Sequence, residues 1–296
     1  MASPSSVSRI RKILRQAFSL LVLLLLIAVL WESAKWIAGD PWRVTTNPFG
    51  IEHNPPLRWK VVSDLNLPHL WEIADAFSNP ARRNGPPLGN ILFSAALYTF
   101  REAIIGFLLG GVLGLVLGVL FTHFSLLERG CMPYVVASQT VPILAIAPMV
   151  IIWLKAGWFS VAIIAAYLTF FPVTINTLRG LRSPDPMALE LMHSYAASAW
   201  AILWKLRFPA ALPYIFTALK ISATSSVVGA IIGELPSGIR NGLGGAILNF
   251  NQYYISGPER LWATIVASAA VGITFYLLIT AVEALVLRGR KQISDL

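Results

Sequence analysis

The stretch Tyr98-Thr99-Phe100-Arg101-Glu102-Ala103-Ile104-Ile105-Gly106-Phe107-Leu108-Leu109-Gly110-Gly111-Val112-Leu113-Gly114-Leu115-Val116-Leu117-Gly118-Val119-Leu120-Phe121 decides the fold class. A bilayer core about 30 Å thick takes roughly 20 mostly apolar helical residues, and this run supplies them. Five further runs of the same character lie at about residues 18–37, 131–153, 158–178, 212–233 and 261–287. The composition agrees: of 296 residues, 56 % are hydrophobic and 12 % charged, and mean hydropathy is +0.67. Soluble domains carry about a quarter of their residues as Asp, Glu, Lys and Arg. Half that share excludes an ordinary cytosolic enzyme and a disordered chain. The expected fold is all-α, a polytopic membrane helical bundle with about six transmembrane helices.

Lys plus Arg number 23 against 14 Asp plus Glu, a net charge of +9 with pI about 9.9. The basic residues flank apolar runs, so a bilayer explains them better than nucleic acid does. Positive charge in short loops marks the cytoplasmic side. Arg9, Arg11, Lys12 and Arg15 precede the first run; Arg179, Arg182, Lys205 and Arg207 lie between the fourth and fifth; Arg288, Arg290 and Lys291 end the chain. All fall inside if both termini are cytoplasmic. Leu20 to Leu30 also resembles a signal-peptide core, but Trp31, Glu32, Lys35 and Trp36 follow it in place of a small-x-small cleavage site, which favours an uncleaved anchor. The expected division is a cytoplasmic tail over 1–16, a first transmembrane helix over 17–37, an extracytoplasmic segment over 38–97, a membrane core over 98–287 and a cytoplasmic tail over 288–296. Within 38–97, Gly39 to Pro56 reads as irregular backbone. Leu70 to Phe77 reads as a short helix ended by Asn79-Pro80, and Pro86-Pro87-Leu88-Gly89 marks entry to the second span. The segment is expected to pack over the outer mouth.

Gly106, Gly110, Gly114 and Gly118 recur at four-residue spacing, with Gly111 beside them. Small residues four apart line one helix face and admit another backbone closely. The third run holds Pro133, Pro142 and Pro148 around Ser138, Gln139 and Thr140. Proline removes a backbone donor and kinks a helix, and polar groups at that depth face the bundle interior or a water-filled path. Gln139 either lines such a path or bridges two helices; Thr140 and Pro142 share its place. Lys220 is expected to snorkel to the interface, Glu283 to reach water at the inner end of the last span, and Glu234 to sit at the outer end of the fifth. No chain of buried carboxylates or histidines is evident, which weighs against an ion-driven pump. Cys131 is a lone cysteine, and no Cys/His cluster has metal-ligand spacing, so no metal is expected. His53, His69, His123 and His193 fall in loops or at span ends and read as surface or interfacial.

The loop over about 179–212 is the most informative. Ser183-Pro184-Asp185-Pro186 starts a helix, with Asp185 capping or complementing its N-terminus. Met187 to about Lys205 reads as helix, stopped at Pro209, with Pro213 opening the next span. Leu191, Tyr195, Ile202 and Leu206 can form an apolar side. Tyr195, Trp200 and Trp204 either form a docking surface or pack against the protein's own bundle.

The spacing resembles the EAA loop of permease subunits in ATP-binding-cassette importers: a Glu, two small residues, a Gly six residues after the Glu and a Pro thirteen after the Gly. Glu190, Ala196 and Pro209 fall at those positions. The chain departs from the pattern at Leu191-Met192, where small residues are usual, and at Ala196, where glycine is. Tyr195-Ala196-Ala197-Ser198-Ala199-Trp200 and Phe208-Pro209-Ala210-Ala211-Leu212-Pro213-Tyr214-Ile215 extend the likeness. So do Ser138-Gln139-Thr140-Val141-Pro142, Ala147-Pro148-Met149, Phe171-Pro172-Val173-Thr174-Ile175-Asn176-Thr177 and Gly242-Leu243-Gly244. Lys155 departs where the family more often reads Phe-Gly after Trp. The likeness spans roughly residues 95–287 and is greatest to the branch serving nitrate, sulfonate, taurine, thiamine-precursor pyrimidine and riboflavin uptake.

The resemblance implies a transport subunit rather than an enzyme, in the cytoplasmic (inner) membrane. It implies a loop helix that docks in a groove of a separate ATPase subunit through Glu190, Tyr195, Ala196, Trp200 and Pro209, a second and identical permease copy, and an extracytoplasmic solute-binding protein. The chain has no G-x-x-x-x-G-K-[ST] phosphate loop, so ATP is expected on the partner and no cofactor on this chain. The solute is expected to be a vitamin or precursor, riboflavin or a thiamine-precursor pyrimidine, ahead of nitrate, sulfonate or taurine. The alternatives are a stand-alone secondary carrier, which paired membrane carboxylates or an inverted repeat would favour, and a membrane-embedded enzyme, which would need a convergent acid, base or nucleophile.

Overall fold

A computed structural model describes residues 4–42, 48, 50–82 and 84–287. Its helices are α1 (Pro4–Ala38), α2 (Leu70–Ser78), α3 (Leu88–His123), α4 (Ser125–Ala137), α5 (Ile143–Leu154), α6 (Trp158–Leu181), α7 (Pro186–Ser194), α8 (Ala199–Ile202), α9 (Phe208–Ser237), α10 (Leu243–Gln252) and α11 (Pro258–Leu287). A π-helical turn, Leu203–Arg207, joins α8 to α9. Among the described residues no strand forms, and five helices are long and apolar enough to cross a membrane: Leu21–Ala38 within α1, then α3, α6, Ala199–Ser237 and α11.

The expected third span is the exception. Residues 131–153 do not form one helix; α4 and α5 are separate, and the longest apolar piece between them is Ile143–Leu154. The cause is local. Pro142 has no N–H to close the bond to the Ser138 carbonyl, and the Tyr167 hydroxyl donates to that carbonyl instead. The basic residues Arg288, Arg290 and Lys291 lie outside the described residues, as do the side chains of Arg9, Arg11 and Lys12.

The chain forms two compact units. The first comprises the residues up to Gly89 together with Phe250–Ala263. Here the segment after α1 folds back on the end of that helix. Leu57 N–H donates to Ile37 O at 3.1 Å and Trp59 N–H to Ala38 O at 3.0 Å, satisfying carbonyls that a helix end leaves open. Trp31 Nε1 donates to Pro68 O at 3.0 Å. Glu32 accepts from Leu70 N–H at 2.8 Å and pairs with His69 Nδ1 at 2.8 Å. Lys35, fully buried, donates to Asp64 Oδ1 and to Leu67 O, each at 2.6 Å. Rings fill the remaining space: His53 stacks on Trp36 and His69 on Trp71, with Trp42 edge-on to both tryptophans. His69 is therefore a buried packing residue and not an interfacial one, because Glu32 and the indole face supply what water would.

The second unit, Asn90–Asn249 with the chain from Thr264 onward, is built around α6. On one side, Gly106, Gly110, Gly114 and Gly118 of α3 meet successive turns of α6. A Cβ at Gly106 would stand 2.6 Å from Ala162 O, at Gly110 2.7 Å from Thr169 Cβ, at Gly114 2.7 Å from Val173 Cβ and at Gly118 2.6 Å from Thr177 Cβ. On the other side Gly229 of α9 lies over Ala165, where an added Cβ would be 2.8 Å from its Cα. Small residues thus let three helices meet backbone to backbone. Ala103, Phe107, Val161, Ala165, Ala223, Val227, Ala230 and Phe275 form the shared core. Lys220 of α9 does not stand alone: its Nζ lies 2.8 Å from Glu283 Oε2 of α11, both side chains about one-fifth exposed.

Candidate functional site

The loop after α6 begins with a fixed end. Arg182 donates to Glu128 of α4 through both terminal nitrogens, at 2.8 and 2.5 Å. That fork holds the Glu128 carboxyl below its ordinary range, the Arg182 hydrogen bonds being the main cause. Asp185 then caps α7 by accepting from Met187 N–H at 2.9 Å, with Pro186 at the first helical position, where a missing N–H costs nothing.

The helix expected over Met187 to Lys205 is two helices in the structure. α7 stops at Ser194 with a Schellman turn: Ala197 N–H donates to Met192 O at 3.0 Å and Ala196 N–H to His193 O at 2.9 Å. Ala196 takes φ +51°, the left-handed region where glycine is the favoured residue. Ser198 then caps α8 through its hydroxyl, which accepts from Ala201 N–H at 3.2 Å. Nor does helix end at Pro209: α8, the π turn and α9 run on through it, and the π turn lies just where Pro209 and Pro213 interrupt the ordinary ladder.

The break reassigns the expected apolar side. Leu203 turns inward to a core with Leu181, Ala211 and Ile215, and Ile202 is buried beside it in the chain. α7 buries none of its residues. Met187 (75 % exposed), Leu191, Tyr195 (79 %) and Trp200 (67 %) face outward, as does Glu190; Pro209 is half-buried. Trp200 and Trp204 meet edge to face with centroids 5.5 Å apart, and Trp204 packs on Phe208. Of the five loop residues singled out, four thus lie on one solvent-facing excursion of the chain.

Gln139, Thr140 and Pro142 occupy the gap between α4 and α5 and are all exposed. Ser138 Oγ and Thr140 Oγ1 cap the end of α4, donating to Val135 O at 2.7 Å and Ala137 O at 2.8 Å. Irregular backbone at membrane depth is stable only where protein or a water-filled path meets it. Lys155, just after α5, is another non-glycine residue with a positive φ, +65°.

Sequence patterning did not single out Glu102, nor its closeness to Glu234. Glu102 of α3 and Glu234 of α9 are both buried, 1 % and 0 % exposed, and Glu102 stands one turn after Thr99, whose hydroxyl donates to Glu234, so that the two carboxyl groups face each other. Membrane carboxylates are therefore paired here, contrary to expectation. They lie about 130 residues apart in sequence, so no local pattern joins them; the available signal was the Gly242-Leu243-Gly244 turn. Glu234 is wrapped by that turn: its Oε2 accepts from Gly244 N–H at 2.6 Å and its Oε1 from the Thr99 hydroxyl at 2.6 Å, while a Cβ at Gly242 would overlap the carboxylate. Thr99 Oγ1 in turn accepts from Leu243 N–H at 2.9 Å. No group of three or more His, Cys, Asp or Glu able to hold a metal occurs among the described residues.

Sequence comparisons agree with this architecture. The family described as binding-protein-dependent transport system inner membrane component matches residues 83–288. The chain is 28 % identical over 272 residues to the riboflavin transport system permease protein of Chloroflexus aurantiacus, covering 92 % of this chain and 90 % of that one. It is 34 % identical over 203 residues to the formylaminopyrimidine transport permease protein of Halalkalibacterium halodurans, covering 69 % and 80 %. It is 32 % identical over 185 residues to the putative aliphatic sulfonates transport permease protein of Bacillus subtilis, covering 62 % and 66 %.

Proposed function

The chain belongs to the inner membrane components of binding-protein-dependent transport systems, as a permease subunit of an ATP-binding-cassette importer, and from that premise we propose that residues 179–212 are the loop through which an ATPase drives it. The protein is a multi-pass membrane transport component and not an enzyme; in this family ATP hydrolysis belongs to a separate subunit and solute arrives on a binding protein. The observation that carries the coupling reading is α7, a capped helix with no buried residue. Exposed Met187, Leu191, Tyr195 and Trp200 leave an apolar surface in water unless a partner covers it. Glu190 and these residues enter a groove on the ATPase; Ala196 sets the turn that presents them; Pro209 lies in the rigid run behind. Leu203, anchored in the core at the start of that run, passes displacement of the tip into α9.

In the same reading both termini and this loop are cytoplasmic, as the basic residues around it favour. Two identical copies enclose the path, and Gln139, Thr140 and Pro142 border it. The solute is a vitamin or vitamin precursor, riboflavin or a formylaminopyrimidine. Support for that choice is the likeness along nearly the whole chain to the riboflavin relative and the higher identity to the formylaminopyrimidine relative. ATP is used by the partner, and this chain holds no cofactor of its own.

The test is co-purification from the native membrane followed by uptake in vesicles. Recovery of an ATPase subunit with the wild-type chain, lost with Glu190→Lys, is the expected result. Uptake by the chain alone in vesicles lacking ATP would overturn the reading in favour of a secondary carrier.

A further inference from the structure

Both oxygens of Glu102 are buried without a hydrogen bond of ordinary geometry, and 1 % of the residue is exposed. Leaving such a group ionised and unpaired in a helix core is costly. Its surroundings do not supply a counter-charge in contact. On its own helix the Tyr98 hydroxyl, one turn back, is turned toward it, and the Arg101 guanidinium is turned to the Trp158 ring, 5.5 Å from its centroid. From α9 the facing group is the Glu234 carboxyl.

Glu234, by contrast, is fully supplied. The Thr99 hydroxyl and the N–H groups of Gly244 and Gly245 are directed at it, and it sits at the N-terminus of α10. That end of a helix favours negative charge. The donors of Thr99 and of the Gly242–Gly245 turn are thus aimed at Glu234 and not at Glu102. A metal cation would have to sit among N–H groups and is disfavoured by the same geometry. Two carboxyl groups in contact are compatible only with a hydrogen between them.

We propose that Glu102 and Glu234 form a buried one-proton site in which Glu102 holds the proton and donates it to Glu234, pinning α3 to the corner where α9 passes into α10. The bond joins two helices that otherwise meet α6 from different sides. Loss of the proton sets two negative charges against each other, so the pin opens as pH rises and closes as it falls. The corner it holds carries the Gly242–Gly245 turn, whose close approach to Glu234 leaves no room for a side chain at position 242.

The experiment is infrared spectroscopy of the purified chain in lipid vesicles, titrated with base, beside thermal unfolding across the same pH range. In the wild type a protonated-carboxyl carbonyl band is present near neutral pH, and it vanishes over the pH interval in which the melting temperature falls. Glu102→Gln, whose amide still donates to Glu234, loses the band and the alkaline fall in melting temperature. Glu283→Gln, in the Lys220 pair, keeps the band. Absence of the band from the wild type near neutral pH overturns the proposal without any variant. Persistence of the whole band in Glu102→Gln, or an alkaline transition there unchanged from the wild type, overturns it as well.

Discussion

Lys220 Nζ and Glu283 Oε2 lie 2.8 Å apart, joining α9 to α11 by the only ion pair between long helices of the bundle among the described residues. Each residue read alone seemed able to reach water, since both stand near span ends. Pairing removes the need. Truncating one partner leaves a charge against an apolar wall, whereas an apolar replacement of both is tolerated. Glu283→Ala is expected to destabilise the detergent-solubilised protein by about 1–3 kcal/mol, and Lys220→Met with Glu283→Leu to recover most of that. Melting temperatures of the two variants against wild type decide it; equal losses in both would mean the pair is not coupled.

At the tip of the 179–212 loop, Ala196 holds φ +51° with both Schellman hydrogen bonds formed. A left-handed conformation costs an L-residue roughly 1–2 kcal/mol, part of which glycine returns through its freer unfolded chain. Ala196→Gly is expected to raise stability by about 0.5–1 kcal/mol and keep uptake. Ala196→Val, β-branched at the same φ, lowers both. The check is thermal unfolding beside vesicle uptake; a destabilised glycine variant would show that the turn is not strained.

Glu190 is exposed on a helix that buries nothing, so its charge has no folding role to lose. Glu190→Lys is expected to change stability by less than about 0.5 kcal/mol while uptake falls to background. Membrane insertion and yield separate the two effects. Normal uptake in this variant removes Glu190 from the coupling surface.

Neighbouring glycines of α3 differ sharply in what faces them. A Cβ at Gly110 meets Thr169 Cβ at 2.7 Å, whereas one at Gly111 meets only Leu219 Cδ2 at 4.0 Å. Gly110→Ala is therefore expected to cost about 1–3 kcal/mol through overpacking. Gly111→Ala should be neutral or slightly stabilising, since alanine is the better helix former. A ranking in the opposite order, read from melting temperatures, would place the close approach elsewhere on the helix.

The Arg182–Glu128 fork has a defined pH sense. Glu128 is held below its ordinary value of 4.5, so the contribution of the pair is present above that value and is lost as pH falls through the lower, folded-state one. Because the groups are near the surface, its size is under about 1 kcal/mol. Arg182→Ala should match wild-type stability in acid below that window and fall behind it by this margin at neutral pH. Comparison of the two unfolding midpoints across that range measures it.

Much of this was legible along the chain. Apolar runs long enough to span, the glycine spacing of α3, the capping pattern at Asp185-Pro186 and the position of α2 are local, and each depends on residues within a few turns of one another. The break at Ser138–Pro142 was half legible. Proline announced a disturbance, but whether the helix kinks or stops depended on Tyr167, from another helix, taking the carbonyl that Pro142 leaves open. The split of the helix expected over Met187 to Lys205 was hidden for a different reason: Ala196 is a good helix former in its own right, and its left-handed conformation becomes favourable only within the turn that closes α7.

By itself the sequence determined an all-helical membrane chain with one conspicuous loop outside the bilayer, because bilayer thickness and helix periodicity act on contiguous residues. Only the tertiary structure decided which polar groups inside the bundle have partners. Lys220 met Glu283 across 63 residues and Glu234 met Thr99 across 135. A charge or carboxyl in an apolar helix is satisfied by whatever stands opposite, and what stands opposite is set by glycines that let the helices close, not by the residues that flank it in the chain.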